Sequence, residues 1–225
     1  MVKIDKTPLP DEIKIKSESD YRGGQVFELL VKDCRNKCYI CEDKEPTGLN
    51  VEHRIPHKGD KTLKYDWDNL FLSCVHCNNT KNICIDNTKD VIINPITLDP
   101  EEYIEIAISA VDGLKEKVII NKLKDTETVD TTVKLLNYVY NGAPTDIKRL
   151  ESANLRNKIM REVNRFQLYV SGLKEEADLG YHELITKEIS KGSAFAAFKR
   201  NIIRKDPEVV EKFSEELATQ HASTP

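Results

Sequence analysis

Two Cys-x2-Cys pairs, Cys38/Cys41 and Cys74/Cys77, stand 32 residues apart and enclose most of the side chains that could do chemistry. Each pair offers two thiolates from one tight turn, so two pairs can close a tetrahedron around Zn²⁺. We therefore expect these four cysteines to bind a structural zinc ion with no open position for water. The other two cysteines, Cys34 and Cys84, are expected to be free thiols that pack as small apolar groups.

The polar residues between the pairs are of the types that cut phosphodiester bonds. Such cleavage needs a base to activate water, a cation to offset the phosphate charge, and stabilisation of the leaving oxygen. Residues 48–53 are predicted to form a strand that ends at Glu52-His53, and residues 69–73 a returning strand. A helix from Cys74 onward would carry Asn78. These side chains could supply all three requirements.

This arrangement resembles the zinc-stapled HNH endonucleases, and the resemblance implies a ββα-metal fold. On the family pattern His53 is the general base, Glu52 and Asn78 bind a catalytic Mg²⁺ or Mn²⁺ ion, and Asn69 braces the loop between the strands. Lys81 would face phosphate, and His57 is a possible substrate contact. The sequence departs from the commonest pattern in having Glu52 where Asp is usual and Asn78 where many members have His, so the motif is of the H-N-N type.

A narrower likeness concerns residues 50–60 and the opening residues 1–7. Both are similar to stand-alone, PtuB-like HNH nucleases of Septu and retron anti-phage systems. This resemblance implies a DNA-cutting effector in bacterial defence, with an ATPase as its partner subunit.

The predicted fold class is α+β and mostly α, with the ββα-metal module followed by a helical C-terminal region. We expect an extended arm over residues 1–24, the HNH domain over 25–95, and a helical domain over 96–225 that binds a partner or DNA. The predicted C-terminal helices cover residues 101–117, 131–140, 145–170, 195–203 and 208–217.

The charge is uneven along the chain, although its net value is only −4. Residues 145–205 contain 13 basic and 8 acidic residues, which predicts either a phosphate-binding face or an ordinary solvated surface. No apolar run approaches the roughly 20 residues that a membrane helix needs, and residues 1–6 lack the features of a signal peptide. These features predict a cytoplasmic protein that does not bind membranes.

Two alternatives to an endonuclease remain open. The chain could be a zinc-stapled module that binds nucleic acid without catalysis. It could also be a scaffold subunit in which the zinc-binding module has only a structural role. The Glu52-His53, Asn69 and Asn78 set favours the enzyme, because a purely structural knob has no need for these groups.

Overall fold

The structure of the protein is a computed structural model that describes residues 1–85, 91–111, 115–142, 144–175 and 180–221. Helices predominate, and two small antiparallel sheets interrupt them. The predicted fold class, α+β with mostly helices and a ββα module near the N-terminus, is confirmed. In the described part of the chain, no helix has the length and apolar content needed to cross a bilayer.

The ββα module consists of strand β1 (Leu49–His53), strand β2 (Leu70–Cys74) and helix α4 (Val75–Cys84). The strands pair antiparallel from Leu49 opposite Cys74 to His53 opposite Leu70. Every residue of β2 is buried, as its run of apolar side chains leads one to expect. The short helix α3 (Lys61–Lys64) lies in the connection between the strands and begins at Asp60, whose carboxylate accepts from the Thr62 amide.

The N-terminal arm docks on the body of the protein. Residues 1–16 form no regular element, and helices α1 (Glu18–Arg22) and α2 (Gly24–Asp33) follow. The backbone amide of Ile4 donates to the Pro95 carbonyl at 2.9 Å, and the Trp67 indole donates to the Thr7 carbonyl, also at 2.9 Å. The arm therefore contributes to the core that supports the ββα module.

The predicted helix over residues 101–117 is wrong. Strands β3 (Ile104–Val111) and β4 (Lys115–Lys122) form an antiparallel hairpin there, with Ile104 paired to Lys122. The alternation of Ile104, Ile106 and Ile108 has the two-residue period of a strand, and β-branched side chains favour that conformation. Ile104 and Ile106 are buried, so burial on one face of the hairpin overrides the helical spacing that the wider window contains.

Apart from short 3₁₀ helices at Trp67–Asn69, Pro100–Glu102 and Glu211–Phe213, the remaining described elements are α-helices. They are α5 (Glu127–Asn141), α6 (Asp146–Glu175), α7 (Tyr181–Ile189), α8 (Ala196–Arg204), α9 (Pro207–Val210) and α10 (Ser214–His221). One buried cluster unites the arm, the ββα module, the hairpin, α5, the first half of α6 and α8. A second cluster joins the C-terminal half of α6 to α7, α9 and α10 through residues such as Phe166, Ile185 and Phe213. The first core thus continues across the boundary expected at residue 95.

Most of the excess basic side chains in residues 145–205 form ion pairs with acidic residues. Arg200 and Arg204 both bind Glu101, and Lys199 is buried between Glu162 and Glu188. Further pairs join Lys158 to Asp43, Lys191 to Asp5 and Lys205 to Glu105. Acids from outside the segment neutralise much of its positive charge. The buried Lys199 and Arg200 are not part of a solvated surface, whereas Lys158 and Lys205 remain partly exposed to solvent. The pairs of Lys158 with Asp43 and of Lys191 with Asp5 hold the helical region to the rest of the molecule, whereas the pairs to Glu101 and Glu105 lie within that region.

Candidate functional site

The four cysteines of the two Cys-x2-Cys pairs converge into one buried cluster. Their sulfur atoms all lie within 4.8 Å of one another, and the Cys41 and Cys74 sulfurs are 3.9 Å apart. A tetrahedral Zn²⁺ with Zn–S bonds of about 2.3 Å separates its sulfurs by about 3.8 Å. The donor set and its spacing therefore fit a structural zinc ion. Because Cys74 also caps the N-terminus of α4, a bound metal would fix the helix to the start of the hairpin.

Three further residues near these pairs are not ligands in this arrangement. Both ring nitrogens of His76 are engaged, one at 2.8 Å from the Glu151 carboxylate and the other at 2.8 Å from the Val139 carbonyl. Cys34 and Cys84 are buried free thiols outside the cluster, and burial raises the pKa of each to about 11.

A cleft of about 420 Å³ lies at the outer end of the ββα module. Glu52 and His53 of β1 line it, together with His57 of the following loop and Asn78 and Lys81 of α4. Five of the six residues predicted for the catalytic site or its substrate contacts thus share one cavity. Helix α1 closes a further side of the cleft with Glu18, Tyr21 and Arg22.

The His53 imidazole is held from its Nε2 atom. Nε2 lies 2.9 Å from the carbonyl oxygen of Lys64. A carbonyl can only accept, so Nε2 carries the hydrogen, and in the neutral ring Nδ1 is then the unprotonated nitrogen. Burial holds the pKa of His53 below its ordinary value of 6.5. The ring is therefore neutral at physiological pH, as a general base must be.

Two aromatic neighbours fix the plane of that ring. Tyr21 of α1 meets His53 edge-on with ring centroids 5.7 Å apart, and the His57 ring lies 4.8 Å away, inclined at 61°. Glu18 of α1 pairs with Lys64 at 2.8 Å, which ties α1 to the residue whose carbonyl holds His53. These contacts make the N-terminal helix part of the site.

Asn69 lies behind the cleft and spans the loop between the strands. Its Oδ1 accepts from the Ile55 amide at 2.7 Å, while its Nδ2 donates to the carbonyls of Ile55 at 3.0 Å and Leu63 at 2.9 Å. The side chain is almost completely buried. One amide therefore connects the two ends of the loop that carries His57 and leads to Lys64.

Glu52 and Lys81 form a buried ion pair. Lys81 Nζ is 2.5 Å from Glu52 Oε1 and 2.8 Å from the carbonyl oxygen of His53, and the Tyr39 hydroxyl donates to Glu52 Oε2 at 2.6 Å. Burial raises the pKa of Glu52, while the Lys81 ammonium acts in the opposite direction. Lys81 is 1% exposed. The expectation that it faces phosphate does not match this position, because its ammonium is already bound and shielded from solvent.

Asn78 is half-buried on the first turns of α4, and His57 is half-buried in the loop after β1. The Gly59 amide donates to His57 Nδ1 at 3.1 Å. The His57 ring therefore accepts through Nδ1, which leaves Nε2 as its donor atom in the neutral form.

Reasoning from sequence missed Tyr39, Tyr21 and the Lys64 carbonyl. Tyr39 lies inside the first Cys-x2-Cys turn, where its neighbours draw attention to metal binding and give no sign of a contact with Glu52. Tyr21 lies on a five-residue helix in a segment predicted to be extended. Backbone carbonyls leave no sequence signature, so only the structure reveals the partner of His53.

Comparison with known proteins supports the predicted family resemblance. Residues 38–82 match the HNH endonuclease family, a segment that contains the four cysteines, both strands and nearly all of α4. The chain is also 30% identical over 156 residues to the Septu protein PtuB of Bacillus thuringiensis, covering 58% of this chain and 60% of that protein. The chain therefore spans about three fifths of the relative's length. No solved structure gives a significant match.

Proposed function

We propose that this protein is a metal-dependent HNH endonuclease that hydrolyses phosphodiester bonds in DNA. The observation that carries the proposal is the position of His53. Its ring is held through Nε2 by a backbone carbonyl and lines the same cleft as Glu52 and Asn78. All three residues fall within the segment that matches the HNH family.

His53 would act as the base that takes a proton from the attacking water. Its Nδ1 atom is the acceptor, because Nε2 donates to Lys64. The neighbouring Tyr21 and His57 rings restrict rotation of the imidazole. A base that is neutral and held in one orientation needs no reorganisation when the water approaches.

Glu52 and Asn78 would hold the catalytic cation. A carboxylate and an amide oxygen in one cleft are hard oxygen donors, which suit Mg²⁺ or Mn²⁺ better than softer metals. When bound, such a cation would offset charge on the scissile phosphate and stabilise the leaving oxygen. Asn69 would keep the loop closed around the base, and His57 could donate a hydrogen bond to a substrate oxygen.

We assign the four-cysteine cluster a structural zinc ion, on the basis of its all-sulfur donor set and its burial. Binding of such an ion can contribute roughly 10 kcal/mol to folding. This zinc would maintain the junction between β2 and α4, and hence the distance from His53 to Asn78.

The likeness to a Septu protein extends the proposal to biological role. We infer that this nuclease is the effector of a bacterial anti-phage system in the cytoplasm and works with an ATPase subunit. The helical region after residue 95 is the part we assign to binding that partner or the DNA. Because much of its basic charge is internally paired, we favour a protein partner for the described helices.

Cleavage of supercoiled plasmid by the purified protein, with its ATPase partner supplied in a parallel series, tests the proposal. Mg²⁺ or Mn²⁺ should support nicking, EDTA should stop it, and His53→Ala should abolish it without loss of zinc. His182→Ala is a matched control, because His182 stacks on Phe213 outside the cleft. Absence of metal-dependent cleavage in both series would favour the non-catalytic nucleic-acid-binding module or the scaffold subunit.

A further inference from the structure

Both oxygens of the Glu52 carboxylate are held by side chains from other elements of the structure. Lys81 of α4 contacts Oε1 at 2.5 Å, and Tyr39 of the first cysteine turn contacts Oε2 at 2.6 Å. All three residues are buried. An ionised carboxylate can accept about four hydrogen bonds. These two contacts fix its orientation and still leave lone pairs for another partner.

Lys81 makes a second contact that links the carboxylate to the base. Its ammonium also donates to the carbonyl oxygen of His53 at 2.8 Å. Residues three apart on a helix share a face, so Lys81 lies one turn beyond Asn78 on the side of α4 that lines the cleft. The Lys81 side chain thus contacts the Glu52 carboxylate and the backbone of His53, and it belongs to the helix that carries Asn78.

We propose that Lys81 and Tyr39 are positioning residues that clamp Glu52 as a ligand for the catalytic cation. This inference rests on the proposed function and goes beyond it, since it assigns to Lys81 a role other than contact with phosphate. The clamp fixes the Glu52 carboxylate relative to His53 on β1 and Asn78 on α4. Groups that orient a metal ligand are typically worth roughly 10–100-fold in metal affinity.

A purely structural role for Lys81 would predict a different pattern. Removal of the ammonium would then lower stability and weaken every property of the site in proportion, whichever residue stands at position 52. A clamp acts only through Glu52. The two roles therefore separate in a double-mutant cycle, which measures whether the effects of two substitutions are independent.

In the experiment, the zinc-loaded protein is titrated with Mn²⁺, and electron paramagnetic resonance measures the concentration of free Mn²⁺ at each step. Wild type is compared with Glu52→Gln, Lys81→Met and the double variant. Lys117→Met is the control for loss of one lysine charge, because the exposed Lys117 lies on β4 away from the cleft. Zinc content and the thermal midpoint of each protein report on the fold.

We expect Lys81→Met to weaken Mn²⁺ binding by roughly tenfold or more, and to have no further effect when it is combined with Glu52→Gln. Tyr39→Phe removes only a hydroxyl and serves as a second variant if Lys81→Met fails to fold. It should weaken binding several-fold only where Glu52 is intact, with Tyr138→Phe as its control.

The clamp is overturned if Lys81→Met and Tyr39→Phe bind Mn²⁺ as tightly as wild type does. It is also overturned if these substitutions lower Mn²⁺ affinity by the same factor in the Glu52→Gln background as in wild type. Plasmid cleavage that depends on Mn²⁺ and is lost in Glu52→Gln would leave the proposed function standing in that case. If Glu52→Gln binds Mn²⁺ as tightly as wild type does, the assignment of Glu52 as a ligand and the clamp fail together.

Discussion

The side-chain amide of Asn69 makes two hydrogen bonds to the backbone of Ile55, one to its N–H at 2.7 Å and one to its carbonyl at 3.0 Å. A third bond reaches the Leu63 carbonyl, next to the residue that holds His53. Asn69, sixteen residues after His53 in the chain, thereby fixes the conformation of the loop that positions the His53 ring.

We expect Asn69→Ala to loosen this loop without dissolving the module. Buried backbone groups that lose their partner cost about 1–3 kcal/mol each at most, so the thermal midpoint should fall while zinc stays bound. Cleavage should decrease at least tenfold, because the Lys64 carbonyl no longer has a fixed position. Plasmid-nicking rates, thermal unfolding and zinc content test this. The exposed residue Asn164 on α6 provides the control Asn164→Ala, and full activity in Asn69→Ala would contradict the prediction.

The ββα module could be predicted in detail because its signals are local. The cysteine spacing indicates both ends of the module. The apolar run of β2 and the position of Cys74 at the start of a helix are each evident from a few neighbouring residues. The predicted positions of His57 in the loop and Asn78 on the helix agree with the structure, whereas Asn69, predicted to begin the returning strand, ends a 3₁₀ helix just before β2. Their chemical roles stay predictions until the corresponding variants are assayed.

Features that depend on distant partners could not be predicted in this way. The family resemblance places Lys81 at the phosphate, yet its burial depends on how β1 packs against α4. The pairing of Arg200 with Glu101 joins residues 99 positions apart. The hairpin at residues 104–122 was missed because a short apolar run satisfies both helical and strand patterns, and tertiary packing decides between them.

The pH dependence of cleavage should show an acidic limb governed by His53. Only the neutral imidazole can accept the proton, and burial places the pKa of this group below 6.5. Activity should therefore increase as pH rises through that lower value and level off once the imidazole is fully neutral. Rate measurements at saturating Mg²⁺ from pH 5 to 8 test this, with the DNA substrate and ionic strength held constant. A limb centred above pH 7 would exclude His53 in this environment as the base.

Loss of one cysteine ligand should remove the metal and disturb the β2–α4 junction. In Cys74→Ser the zinc content should fall from about one ion per chain towards zero, and protection of α4 amides from hydrogen exchange should decrease. Cys84→Ala is the matched control, because Cys84 lies outside the cluster on the same helix. Elemental analysis and hydrogen exchange distinguish the two variants. A native protein without zinc would refute the assignment of this metal.

The ion pairs of the C-terminal region should contribute to stability rather than to DNA affinity. Glu101 is bound by Arg200, which is 1% exposed, and by Arg204 at 2.6 Å. Glu101→Gln leaves a buried guanidinium without its counter-charge, which typically costs about 3–5 kcal/mol. Chemical denaturation should show this loss, while Glu102→Gln, whose exposed carboxylate pairs only loosely with Lys124 at 3.5 Å, should change stability by less than about 1 kcal/mol. If Glu101→Gln kept wild-type stability and instead altered the salt dependence of DNA binding, the phosphate-binding interpretation of this basic segment would be restored.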